Sequence, residues 1–155
     1  MMLQGKIYWA KILGKPVDGY NPGEREWSCD IGIDTDAIEK YTAEGGSDFY
    51  LKTKDNHPAD GTFIAFKRKE LKQDGNPAKE INVVDRKGQP WDRSVRIGNG
   101  STVNFKFALN EVKIASKTRL KPSLISIQVW ELVPYEGGSD EVFEEFPTDD
   151  DWSAE

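Results

Sequence analysis

The sequence is poor in the residues that build covalent cross-links and metal sites. Of its 155 residues, one is a cysteine, Cys29, and one is a histidine, His57. A single cysteine cannot form an intrachain disulfide, which fits the reducing cytoplasm, and one Cys with one His cannot supply a multi-Cys/His zinc site. We therefore expect Cys29 to be a small, buried hydrophobic residue within a strand.

Long apolar runs and catalytic motifs are also missing. No segment approaches the roughly 18 apolar residues of a membrane span, and the first residues, MMLQGKIYWAK, do not have the pattern of a secretory signal. The motifs GxxxxGK[ST], GxSxG and HExxH do not occur. Asp30, Asp34 and Asp36 lie close in sequence, but Asp34 and Asp36 are better explained by helix capping. We predict no enzyme, and hence no catalytic residue, no metal and no cofactor.

Basic side chains are absent from the last twenty residues, which hold nine of the 27 acidic residues of the chain. The other 18 acidic residues face 21 basic ones, so residues 1–135 carry a net charge of about +3 although the whole chain carries −6. This asymmetry suggests a nucleic-acid-binding body with an interaction tail. We predict one domain over residues 1–135 and a disordered acidic tail over residues 136–155. A merely solubilising tail is the alternative.

Short runs of strand-forming residues, bounded by glycine and proline, dominate the body. The pattern predicts one helix at residues 34–44 and strands at residues 6–13, 27–33, 49–54, 62–69, 80–84, 102–113 and 123–133. Residues 14–24 and 86–96 are predicted as loops, and residues 116–122 as a turn. This is an all-β chain with one short helix, and we predict a Greek-key β-barrel with extra strands, the OB-fold. An ordinary two-sheet sandwich is the alternative.

Cationic and aromatic residues are interleaved along the body. Single-stranded nucleic acid needs both, because cations follow the phosphates and aromatic faces stack on unpaired bases. Alternation along the predicted strand 49–54 places Tyr50, Lys52 and Lys54 on one face, which is either a groove wall or a solvated sheet edge. For Phe63, Phe105 and Phe107 core packing is the stronger interpretation.

The predicted loop 86–96 holds four cations around Trp91. A tryptophan in such a loop is a candidate for base stacking, and its alternative is a ring that folds back over the end of the barrel. The residues that we predict to bind DNA are Tyr50, Lys52, Lys54, Lys67, Lys69, Arg86, Lys87, Trp91, Arg93, Arg96 and Lys106.

Two segments near the end of the body indicate a family. They read IGNGSTVNFKF at residues 97–107 and KPSLISIQVWELVPY at residues 121–135, and an acidic end follows. With this plan the chain resembles the single-stranded DNA-binding proteins of bacteriophages, namely the replication proteins of short-tailed phages and their relatives. The resemblance covers residues 97–155 best and the remainder by the order of its elements.

The resemblance implies an OB-fold that coats single-stranded DNA with little sequence preference during phage DNA replication and recombination, in the cytoplasm of the host cell. It implies a tail that competes with DNA for the basic groove and recruits DNA polymerase and the helicase–primase, and it implies a homodimer. The tail residues that would bind these partners are Phe143, Phe146, Asp149, Asp150, Asp151 and Trp152. A structural or interaction β-sandwich that does not bind DNA is the alternative, and a small phage nuclease is a more remote one.

Overall fold

Strands of alternating apolar and polar residues make up most of the computed structural model, which describes residues 1–18, 24–72 and 74–135. One α-helix, α1, covers Thr35–Ala43, and a single 3₁₀ turn covers Asp48–Tyr50. The strands are β1 (Met2–Lys11), β2 (Val17–Asp18), β3 (Arg25–Gly32), β4 (Phe63–Lys69), β5 (Asn82–Val84), β6 (Ser101–Ile114) and β7 (Lys117–Glu131).

The order of the strands is that of a Greek key. β1 pairs with β3 and β3 with β4, and the chain then returns by a long connection so that β6 lies on the other side of β1. This order, β6-β1-β3-β4, is the Greek-key pattern. β7 pairs antiparallel with β6, and the two short strands β2 and β5 extend the sheet next to β3 and β7. The five-stranded OB-fold with extra strands and one short helix is confirmed.

The barrel is filled by side chains that point inward from alternate positions of these strands. Phe105 and Phe107 of β6 are fully buried and their rings lie 5.5 Å apart, and Phe66 of β4 packs edge-on against Phe105 at 5.8 Å. Cys29, as expected, is a buried residue of β3, and burial raises the pKa of its thiol. The core interpretation of Phe63, Phe105 and Phe107 is therefore confirmed, since Phe63 is also buried.

At the seam where β4 and β7 approach each other, Arg68 forms a hydrogen bond from one strand to the other. The guanidinium of Arg68 on β4 donates to the backbone oxygen of Leu124 on β7 and to that of Lys79 at 3.0 Å. Burial lowers the pKa of Arg68 from its ordinary value. Arg68 thus supplies donors at the seam where the barrel closes.

The predicted helix is present and covers one end of the barrel. Asp34 caps it, because its carboxylate accepts a hydrogen bond of 2.9 Å from the backbone N–H of Ala37. Tyr41 is fully buried beside Phe107, with ring centroids 6.2 Å apart, and its hydroxyl donates to the backbone oxygen of Ser47 at 2.7 Å. Ile38 packs against the core on the same side.

Three predictions of local structure are wrong. The predicted loop 14–24 contains the short strand β2, which pairs with β3. Residues 49–54 are not a strand: the 3₁₀ turn occupies their first two residues, and Lys52 forms an isolated bridge to Phe63. Residues 117–122 are not a turn but belong to β7, and only Ser116 of the predicted segment lies in the two-residue reversal that it forms with Ala115. The lysine-rich start of β7 reads as a loop because it extends beyond the core and carries little apolar alternation.

Candidate nucleic-acid interface

An open groove of about 1200 Å³ lies where the first connection of the barrel meets the end of the described chain. Its walls come from the end of β1, the following residues up to Val17, the loop 93–99 and residues 133–135. Small and aliphatic residues line much of the groove. The four cations in its lining are Lys11, Lys15, Arg93 and Arg96, and the two aromatic residues are Trp9 and Tyr135. Among the residues that the structure describes, no acidic side chain is part of this lining.

A β-bulge in β1 forms one wall of the groove. The register between β1 and β3 shifts after Tyr8, so that three residues of β1 span the distance of two on β3. Trp9 lies in the bulge with a φ of 50° and is 48% exposed. Its backbone N–H donates to the side-chain oxygen of Asn99 at 2.8 Å. The bulge therefore directs outward a ring that simple alternation would place inward beside Ile7.

The single histidine supports this wall from the side of the sheet. His57 is buried and stacks on Phe63 with ring centroids 3.9 Å apart, while Trp9 meets it edge-on at 4.7 Å. The backbone N–H of Ala59 donates to Nδ1 at 3.0 Å, so Nε2 bears the hydrogen and donates to Asp30 Oδ2 at 2.8 Å. Both ring nitrogens are thus engaged, and Asp30 has a structural role.

The two predicted arginines of the groove, Arg93 and Arg96, differ in how strongly other residues hold their side chains. Arg93 is half-buried and donates to the backbone oxygens of Ile12 at 3.3 Å and Ile81 at 2.8 Å, so it also ties the loop 93–99 to the barrel. Arg96 is exposed, and its guanidinium lies 4.9 Å from the ring centre of Tyr135. Arg96 is therefore the cation better placed to turn toward a phosphate.

A second group of predicted residues lies on and beside β4. Lys67 and Lys69 are exposed on its outer side, opposite Ser28 and Glu26 of β3, and Lys69 is 3.4 Å from the carboxylate of Glu24. Lys52 and Lys54 are exposed in the segment that leads back to β4. Tyr50 does not share a strand face with them, because it lies in the 3₁₀ turn, half-buried and with its hydroxyl enclosed.

A third group lies around β6 and β7. Lys106 is exposed on β6 opposite Ser126, and Arg86 stacks on Trp130 of β7 at 4.2 Å. Lys87 follows in an exposed turn. Between these cations runs a row of hydrogen-bonded amides, in which Gln4 donates to Asn104 and Asn104 donates to Gln128, each at 3.0 Å. The predicted residues are thus spread over three surfaces rather than lining one groove.

Trp91 is folded back toward the barrel. It is half-buried against the core, and its indole N–H donates to the backbone oxygen of Val95 at 2.9 Å. Next to it, Asp92 accepts two hydrogen bonds from Ser94, at 2.7 Å and 3.0 Å, which lower the pKa of its carboxyl. These hydrogen bonds hold the loop in place. Because the Trp91 ring packs against the core, less of its surface is accessible to a base.

Trp9, Lys11, Lys15 and Tyr135 are groove residues that the pattern of the sequence does not single out. Tyr135 and Lys15 lie more than a hundred residues apart in the chain, and the bulge in β1 carries no glycine to announce it. The one usable signal is the segment IGNGS. Its Gly98 packs directly against the backbone of Val133 and Pro134, and Gly100 has a φ of 90°.

The described residues offer little for other chemistry. In residues 1–18, 24–72 and 74–135 no three His, Cys, Asp or Glu side chains are grouped so that they could hold a metal ion. No helix within those ranges is both long and apolar enough to span a membrane. The predicted tail residues Phe143, Phe146, Asp149, Asp150, Asp151 and Trp152 lie outside the described residues.

The position of the groove can be compared with the ligand sites of other OB-folds. In OB-folds, oligonucleotides bind at the face of the second and third barrel strands, here β3 and β4, and at the loops after the first and fourth strands. The groove described above lies at the first of those loops.

Solved phage proteins share this fold. Gp2.5, a single-stranded DNA-binding protein encoded by bacteriophage T7, is similar with a TM-score of 0.58 and 22% identity, over 97% of this chain and 99% of that chain. The single-stranded DNA-binding protein from bacteriophage Enc34 in complex with single-stranded DNA is similar with a TM-score of 0.59 and 12% identity, over 88% and 89% of the two chains. Its C-terminally truncated form has a TM-score of 0.60 at 14% identity, over 85% of each chain.

No protein-family model matches the chain, and no curated protein matches its sequence. The resemblance to phage single-stranded DNA-binding proteins that the sequence indicates is confirmed at the level of the fold.

Proposed function

We propose that this chain is a binding protein for single-stranded DNA, not an enzyme, and that it holds the strand with little sequence preference. The observation that carries the proposal is the groove, in which four cations and two aromatic rings meet at the loop after the first barrel strand. Cations follow the phosphates there and aromatic faces accept the bases, whose identity matters little to a stacking surface. The phage proteins of the same fold support this assignment.

The finer proposal concerns the two parts of the chain. Residues 1–135 form the DNA-binding domain, which coats single-stranded DNA during phage replication and recombination in the cytoplasm of the host cell. Residues 136–155 are an acidic tail that competes with DNA for the groove and recruits DNA polymerase and the helicase–primase. The support is the charge of the chain, about +3 on the body against nine acidic residues in the tail, and the position of Tyr135, the last body residue, in the groove. We also propose that two copies of this chain form a homodimer.

A salt titration of DNA binding tests both parts. We expect the protein to prefer single-stranded to double-stranded DNA and to lose affinity as salt rises. With about four phosphates neutralised by the groove cations, the slope of log K against log salt should be close to −3, since each phosphate contributes about −0.7 in single strands. A chain that ends after Tyr135 should bind more tightly at about 50 mM salt, because the competing anion is gone.

The controls separate the two parts. Arg96→Ala should weaken binding and make the slope shallower by about one phosphate, whereas Lys40→Ala, which removes the same charge from the exposed side of α1, should change neither. If the full chain and the truncated chain both fail to shift single-stranded DNA at 50 mM salt, the binding function is wrong and an interaction protein is favoured. Equal or weaker binding by the truncated chain would contradict the competitor role alone.

A further inference from the structure

We propose that Trp9 is the base-stacking residue of the groove and that Asn99 is its positioning residue. The inference rests on the proposed function and adds to it the particular side chain that receives a base. The pair is not among the residues that the sequence predicts to bind DNA, and the fold brings it together across ninety positions of the chain. Four observations carry the assignment.

The first observation is that the Trp9 ring is exposed where the alternation of β1 predicts a buried side chain. Trp9 is 48% exposed although it stands two residues after the fully buried Ile7 on β1, where alternation would turn its ring inward and burial of a large ring would stabilise the fold. The bulge, not the strand pattern, turns it outward. Bulges that redirect a side chain are common next to functional sites.

The second observation is local strain. A φ of 50° is unfavourable for a bulky residue, for which the left-handed region costs free energy that glycine would not incur. Such strain persists when surrounding contacts impose it, and it concentrates at binding sites. Here the imposing contact is the 2.8 Å hydrogen bond from the Trp9 backbone N–H to the Asn99 side chain. The chain keeps a tryptophan at a position suited to glycine.

The third observation is the distribution of cations over the exposed rings. Within the described residues, three partly or largely exposed rings each have an arginine over one face: Tyr135 with Arg96, Trp130 with Arg86 and Phe49 with Arg119. In the described part of the chain no arginine lies over Trp9, whose ring neighbour there is His57 at 4.7 Å. A base can stack on Trp9 without displacing a cation.

The fourth observation is the setting. Trp9 lines the groove together with Lys11, Lys15 and Arg96, so a stacked base and its flanking phosphates are met by one surface. His57 is itself fixed by Asp30 and Phe63, which makes the support behind the indole rigid. A preorganised ring loses little freedom when a base stacks on it. The ligand is therefore an unpaired base of any identity, within a strand.

The test compares two strands of equal charge. An oligo(dT) and an oligomer of the same length made only of abasic nucleotides present the same phosphates, so the ratio of their affinities isolates what the bases contribute. We expect the full chain to prefer oligo(dT), and Trp9→Leu to reduce that preference by about 5- to 150-fold, the range for loss of one stacked base. Abasic binding should stay unchanged, and Trp9→Tyr should restore most of the preference.

The controls assign roles. Asn99→Ala should reduce the oligo(dT) preference in part, without changing abasic binding, since it releases the Trp9 backbone that positions the ring but removes no charge. Leu71→Ala, which shortens a 54% exposed apolar residue outside the groove, should leave the preference intact. An equal loss on both oligomers in Trp9→Leu, or an unchanged preference, would overturn the assignment. A wild-type chain that binds neither oligomer contradicts the proposed function instead.

Discussion

At the scale of single residues, Tyr41 shows how one buried hydroxyl links stability to pH. Burial raises its pKa to about 12, and the neighbouring Tyr50 and Asp48 add to the shift. Because the raised pKa favours the neutral phenol in the folded state, its stabilising effect is complete below the ordinary value of 10.0 and is lost as pH rises toward 12. Its hydrogen bond to Ser47 exists only while the phenol keeps its proton.

Tyr41→Phe removes the hydroxyl and keeps the ring in the core. At pH 7 we expect the variant to lose about 0.5–1.5 kcal/mol of unfolding free energy, the usual contribution of one hydrogen bond. Between pH 10 and 11.5 the difference from the wild type should shrink, since only the wild type pays for ionisation of this phenol. Urea unfolding of the wild type and the variant at a series of pH values measures this difference in unfolding free energy. A difference that stays constant with pH would show that the ionisation of Tyr41 does not affect stability.

Residue-scale features divide into those that the sequence predicts and those that it cannot. The burial of Cys29, the Asp34 cap and the inward ring of Tyr41 follow from alternation and spacing within a few neighbours. The outward ring of Trp9 does not, because it depends on Asn99, ninety positions away. Patterns within a few neighbouring residues cannot predict a contact with so distant a partner.

At the scale of elements, the β6–β7 hairpin reverses in two residues without the residues that such turns favour. Ala115 has a φ of 51° and Ser116 a φ of 68°, which is the left-handed geometry of a type I′ turn. Asparagine followed by glycine suits that geometry, whereas alanine and serine are strained in it. The absence of an Asn-Gly signal also explains why the sequence predicts a longer turn here.

The double substitution Ala115→Asn with Ser116→Gly should stabilise the protein by about 1 kcal/mol, because it removes the strain of two left-handed residues. The urea concentration at the midpoint of unfolding should rise, with no change in the slope of the unfolding free energy against urea concentration. Ala115→Val is the matched opposite, since a β-branched residue fits this region worse, and it should lower the midpoint. A loss of stability in the Asn-Gly variant would show that the turn is not strained.

Element prediction succeeded where a strand or helix carries its own pattern and was wrong where tertiary contacts decide. The alternation of Val103, Phe105 and Phe107 marks β6 clearly. Residues 49–54 carry strand-forming residues as well, but Ser47 caps a 3₁₀ turn there by accepting a hydrogen bond from Phe49. The Lys52 bridge to Phe63 retains only one residue pair of the predicted strand.

At the scale of the whole molecule, we expect Arg68 to stabilise the closure of the barrel. Arg68→Met keeps the aliphatic stem but leaves the backbone oxygens of Leu124 and Lys79 without their donor, and we expect a loss of about 2–4 kcal/mol. Arg25→Met is the matched control: its guanidinium pairs with Glu70 at 3.1 Å on the surface, and its loss should be below about 1 kcal/mol. Chemical unfolding of both variants decides, and equal losses would show that the seam needs no arginine.

The distribution of charge is also a property of the whole molecule. Composition predicts a basic body correctly as a sum, but the fold divides its cations among the groove, the outer side of β4 and the β6–β7 face. Only Arg93 and Arg96 of the predicted residues line the groove. Which cations share a surface is decided by strand order, and strand order is the part of the fold that local patterns encode least.

The Greek-key order has a consequence for how the protein is made. β1 leaves the ribosome first and can pair with β3 and β4 soon afterwards, yet its other edge stays open until β6 has been synthesised about a hundred residues later. Asn99 arrives at that same late stage. The bulge around Trp9 therefore reaches its final geometry only when the barrel closes, so the groove cannot exist on a partly synthesised chain.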